Sequence, residues 1–143
     1  MVLQQLREEV AFYGKELVRQ GMTLHTGGNL SAIDREQGVV AIKPSARPYE
    51  SLTAAEITVI DREGQVVDGP YPPSSEWRMH LALYRAFPTA GAVVHCHSPH
   101  CCALAALGRP IPPVNHELCC YCSQPVAVAP FALAGTEALG QGA

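Results

Sequence analysis

Leu3, Leu6, Val10, Tyr13 and Leu17 recur at spacings of three and four, the apolar stripe of an amphipathic helix, with Arg7, Glu8, Lys15 and Arg19 off that stripe. Gly21 is placed to end it. Residues 29–33 and 38–43 flank a tight turn and read as a hairpin. Thr53 and Glu56 form a capping box over a very short helix, and residues 57–61 and 65–68 make a second hairpin. Tyr71-Pro72-Pro73 is a rigid, extended entry to a helix whose Trp77, Leu81 and Tyr84 share one face. That helix should stop near Phe87, ahead of Pro88. Residues 90–94 have the pattern of a buried strand leading into His95. A short helix is expected over 99–107, a loop from Ile111 to His116-Glu117, a further strand over 124–129, and a helix opening at 135–139 with scarcely room to finish. The closing Gln141-Gly142-Ala143 offers no cap, which reads as a chain truncated at its C-terminus or a fragment of a longer one.

A length of 143 residues with 48% hydrophobic and 16% charged residues is that of one globular domain with a real core. The net charge of −3 gives no electrostatic reason to expect nucleic acid or an anionic membrane as partner. The N-terminus lacks the layout of a signal peptide and no apolar run approaches ~18 residues, so nothing is expected to span a membrane. The six cysteines, clustered between 96 and 122, then read as reduced thiols in a cytoplasmic protein rather than a secreted disulfide framework. Cys119-x-x-Cys122 is the seed of a structural zinc knuckle, but no second pair completes it.

Chemistry concentrates between Ser74 and Ser98. His95 and His97 alternate on a strand end, so both imidazoles face one way and can bind a single Zn²⁺, leaving Cys96 on the other face as a small core residue. Glu76, at a helix opening, is a third ligand or a base near the metal. Ser74 and Ser75 combine two hydroxyls with the free N–H groups of that opening, a candidate phosphate site. The loop His25–Ser31 adds paired glycines with donors on Thr26, Asn29 and Ser31. Lys43-Pro44-Ser45-Ala46-Arg47 adds a hydroxyl and two cations. His80, one turn after Glu76, reads as a structural hydrogen-bonding residue, and His100 as a weaker ligand.

Four ordered motifs, GGNLS (27–31), KPSA (43–46), SSEWRMH (74–80) and AVVHCHSPHC (92–101), together resemble the class II aldolase/adducin family over most of the chain. The resemblance implies a three-layer α/β/α fold around a mostly antiparallel sheet. Residues 1–143 would be a single domain of this type, missing the family's C-terminal segment and the third histidine ligand that lies there. It implies a homotetramer with active sites at subunit interfaces, Zn²⁺ held by His95, His97 and Glu76, and Glu76 as acid/base. Thr26, Asn29, Ser45, Ser74 and Ser75 would hold the substrate phosphate, with Ala46 where the family has glycine. Glu117 stands where the aldolases place a neighbouring subunit's tyrosine and is a catalytic candidate. The implied reaction cleaves a ketose 1-phosphate, such as fuculose 1-phosphate, to dihydroxyacetone phosphate and a small aldehyde through an enediolate. A dehydratase or 4-epimerase on the same fold, or a non-catalytic adducin-like assembly module, is the alternative.

Overall fold

In the computed structural model, which describes residues 2–122 and 124–143, the two predicted hairpins supply four of the five strands. These are β1 (Asn29–Asp34), β2 (Val39–Ile42), β3 (Thr58–Ile60) and β4 (Val66–Asp68); β5 (Ala92–His95) is the fifth. Local polar chemistry closes both turns. Asp34 Oδ1 accepts from the Gln37 N–H at 2.9 Å, and Asp61 Oδ1 accepts from those of Glu63 and Gln65. The strands lie in the order β4–β3–β2–β1–β5, with every pairing antiparallel.

Strand alternation sorts the apolar residues into two layers. Leu30 and Ala41, with Ala32 beside them, face α1 (Gln4–Arg19) and meet Val10, Ala11 and Leu17, with Tyr49, Leu52 and Ile57 completing that core. Val40, Ile42 and Ile60 face the opposite way, toward Leu81 and Tyr84 of α2 (Trp77–Ala86). Helix, sheet, helix is the three-layer arrangement expected. The predicted capping box is present, Thr53 and Glu56 satisfying each other over a single 3-10 turn.

Four local expectations need correction. The buried face of α1 comprises Arg7, Val10, Ala11, Gly14 and Leu17, whereas Tyr13 is 59% exposed. Arg7 is drawn inside by an ion pair to Asp68 Oδ2 at 3.2 Å on the edge strand β4, a tertiary partner that helical periodicity cannot announce. Strand β5 is an edge strand, and Val94 is 54% exposed; an apolar run does not say what covers it. Cys96 is likewise exposed rather than a core residue. Residues 124–129 make one bridge, Ile111 to Val126, and no strand.

After β5 come α3 (Pro99–Ala106), α4 (His116–Tyr121) and α5 (Glu137–Gly142). Helix α4 begins at His116, where the expected loop ends, and is opened by Asn115, whose Oδ1 accepts from the Leu118 N–H at 2.8 Å. Among the described residues, no helix is long and apolar enough to cross a membrane.

Candidate active site

Three loops converge because backbone hydrogen bonds stitch them together. The Ser45 N–H donates to Pro72 O and the Ser74 N–H to Lys43 O, both at 3.0 Å, laying the Lys43–Ala46 segment against the entry to α2. The Lys43 N–H donates to Leu30 O at 3.0 Å, and Lys43 Nζ to Thr26 O at 3.5 Å, joining the glycine loop to the same cluster. The result is a cleft of about 180 Å³ whose lining includes Thr26, Asn29, Ser45, Ser74 and Ser75, with Glu76 and His97 on its wall. All five residues expected to face a phosphate therefore meet in one place, although they come from three separate segments.

The imidazoles stand beside it. Pairing of β1 with β5 sets Asn29 opposite His95, and beyond the strand end His97 turns back so that the two Nε2 atoms are 2.9 Å apart. Glu76 Oε2 lies 3.5 Å from His95 Nε2. Burial, with His97 nearby, pushes the His95 pKa down despite the opposing pull of Glu76; this favours the neutral, ligand-competent imidazole. Gly28 permits this approach: at φ +64, a Cβ there would sit 2.5 Å from His95 O. Gly28→Ala is expected to displace the end of β5, costing about 1–3 kcal/mol in unfolding free energy and weakening whatever affinity the histidine pair has for a divalent metal. A thermal melt paired with a zinc titration would check both effects.

Among the described residues, no three His, Cys, Asp or Glu side chains stand together as a complete metal set. The two imidazoles do pair, with the carboxylate reaching one of them. Two nitrogens each ~2.0–2.1 Å from one tetrahedral Zn²⁺ are themselves roughly 3.3–3.4 Å apart, so the observed 2.9 Å is a little tight while the N, N, O chemistry suits such an ion, a fit in part. No cysteine joins this group, and no zinc knuckle forms among the described residues. Glu117, on the exposed α4, is not part of the cleft lining.

The structure adds one residue and marks one departure. Lys43 is buried, lines the cleft and lies 4.6 Å over the Tyr49 ring; burial pushes its pKa down to about 8. In sequence it is one of two loop cations, and only folding separates them, since Arg47 instead pairs with Glu56 and stacks on Tyr71. Ala46 lies at φ +54, a conformation that favours the glycine the family places there.

A three-layer fold, a hydroxyl-lined cleft and a histidine pair beside a carboxylate define a recognisable class. The chain belongs to the class II aldolase and adducin family, whose N-terminal domain description matches residues 8–143. It is 40% identical to 5-deoxy-D-ribulose 1-phosphate aldolase of Bacillus thuringiensis serovar kurstaki, an alignment covering all of this chain and 67% of that protein. Among solved structures, an L-fuculose 1-phosphate aldolase superposes with a TM-score of 0.92 at 38% identity, over 100% of this chain and 67% of that one. An L-fuculose-1-phosphate aldolase from Thermus thermophilus gives 0.80 at 27% identity, over 95% and 67%. Within the family the chain therefore stands with the class II aldolases, which are carbon–carbon lyases generally dependent on a divalent metal.

Proposed function

We propose that this protein is a zinc-dependent sugar-phosphate aldolase that cleaves a ketose 1-phosphate to dihydroxyacetone phosphate and a small aldehyde. The observation that carries this reading is the meeting of Thr26, Asn29, Ser45, Ser74 and Ser75 in one cleft beside Glu76 and His97. In it, Ser74 and Ser75, just ahead of α2, present hydroxyls to the phosphate, helped by Thr26, Asn29 and Ser45. Lys43 supplies positive charge, and an arriving phosphate dianion favours its ammonium form. Anchoring the phosphate holds the ketose carbonyl end toward Glu76 and the histidines, converting binding into orientation.

Zn²⁺ would be held by His95, His97 and Glu76, and when bound would supply Lewis-acid polarisation of the carbonyl. Glu76 has one carboxylate oxygen committed to Asn29, whose Nδ2 donates to Oε2 at 2.6 Å, and carries the proton that cleavage requires. We read residues 1–143 as one domain acting in a cytoplasmic homotetramer with its sites between subunits. Two observations support that assembly: Glu117 stands away from its own cleft, and Tyr121 and Phe131 are 88% and 91% exposed. In this reading Glu117 reaches a neighbour's site.

The test is metal content by elemental analysis, on this chain and on a version extended past Ala143 where the gene continues. We expect close to one Zn²⁺ per chain, lost in His95→Ala, followed by release of dihydroxyacetone phosphate from L-fuculose 1-phosphate or 5-deoxyribulose 1-phosphate. A protein that binds no metal in either form would overturn the catalytic reading and leave an assembly module.

A further inference from the structure

Strand β1 and helix α2 interlock through polar side chains where the surrounding layer is apolar. Asn29 and Ser31 alternate on one face of β1; Glu76, at the cap of α2, and His80 and Tyr84 within it recur every four residues. Two strand residues advance about 6.7 Å and four helical residues about 6 Å, so the two series stay in step. Asn29 lies between Glu76 and His80, and Ser31 between His80 and Tyr84. His80 is fully buried, Ser31 is 1% exposed, and Tyr84 and Asn29 are 4% and 5% exposed.

The chemistry of the end group sets the direction of every bond. A carboxylate only accepts, so Asn29 turns Nδ2 toward Glu76 Oε2, at 2.6 Å, and Oδ1 toward His80. His80 Nε2 must then carry the ring proton and donate to Asn29 Oδ1. That leaves Nδ1 to accept from the Ser31 hydroxyl at 2.6 Å, and Ser31 Oγ to accept from the Tyr84 hydroxyl at 2.8 Å. All the donors point one way, toward the carboxylate of Glu76 on the cleft wall, an arrangement in which each bond polarises the next.

We infer that His80, backed by Ser31 and Tyr84, is a positioning residue that locks the Asn29 amide and through it the orientation of the Glu76 carboxylate. The inference rests on Glu76 being the acid/base and metal-facing group proposed above. Apolar residues at these positions would join the neighbouring Ile42, Ile60 and Leu81 without the desolvation that four buried polar groups entail. Burial also pushes the His80 pKa down to about 4, so at neutral pH its tautomer is set by its neighbours rather than by protonation.

The test compares wild type with Ser31→Ala, His80→Leu and His80→Gln. The readouts are the ring ¹⁵N spectrum of the metal-free chain, zinc affinity by chelator competition, kcat and KM, and the melting midpoint. Wild type should show the proton on Nε2. Ser31→Ala and His80→Leu should weaken Zn²⁺ binding ~10- to 100-fold and lower kcat by a similar factor, leaving KM within about twofold. His80→Gln, which keeps an N–H aimed at Asn29, should recover most of both losses. Folded Ser31→Ala with wild-type zinc affinity and kcat would overturn the inference, as would a proton found on Nδ1 or a loss that Gln fails to rescue. If His80→Leu does not fold, Ser31→Ala and His80→Gln decide. Absence of aldol cleavage in wild type would instead overturn the functional reading, while the ring spectrum and zinc affinity still judge the positioning.

Discussion

Glu76→Gln is expected to lower kcat for aldol cleavage by ~100- to 10,000-fold, the usual contribution of a positioned general acid or base. The amide is nearly isosteric and its carbonyl oxygen can still accept from Asn29 Nδ2, so the opening of α2 should keep its shape. KM should change only a few-fold, because in the proposed reading the phosphate is held by Ser45, Ser74, Ser75 and their neighbours rather than by this carboxylate. Zinc affinity should fall as well, since a neutral amide oxygen is a poorer ligand than a carboxylate. Steady-state kinetics with a thermal melt as control would check this. A folded variant with wild-type kcat would remove Glu76 from the chemistry.

Acidification from about pH 6.5 to 4 is expected to cost the chain about 3 kcal/mol of unfolding free energy through His80 alone. An unfolded histidine takes up its proton near pH 6.5. In the folded chain burial, assisted by the nearby His95, holds His80 down to about 4. Above both values the ring is neutral in both states and folding loses nothing. Between them the unfolded state binds the extra proton, so stability falls with falling pH at ~1.4 kcal/mol per pKa unit. Urea unfolding at pH 7.5 and 4.5 should show wild type losing about 2–3 kcal/mol more than His80→Gln. Parallel losses would contradict the assignment.

Much of the fold was legible without coordinates because its signals are local. The first hairpin is written in the turn chemistry of Asp34 and Gly38, the second in Asp61 and Gly64, and the end of α2 in Pro88. Fold class followed from four motifs in order, and the resemblance they carry named Thr26, Asn29, Ser45, Ser74 and Ser75 together, residues that one cleft brings into contact with the same space. What failed was whatever depends on a partner distant in sequence. Arg7 is charged and so reads as exposed until Asp68 appears beside it. The apolar residues of β5 read as core until the sheet order leaves that strand at an edge.

The candidate site divides along the same line. His95 and His97 are paired in sequence by a two-residue strand period, but β5 ends at His95 and it is the turn beyond it that brings the two Nε2 atoms to 2.9 Å. Glu76 could be placed because a helix opening is marked by its own residues. Whether those two elements meet is not encoded locally. The register that sets Asn29 opposite His95, and the matched rise of β1 and α2 that carries Tyr84, Ser31, His80 and Asn29 to Glu76, exist only once sheet and helix have packed. The same is true of Lys43, which is equivalent to Arg47 along the chain. Folding buries Lys43 against Tyr49 at the cleft and leaves Arg47 paired with Glu56, because what distinguishes them is the low dielectric and the neighbours each acquires.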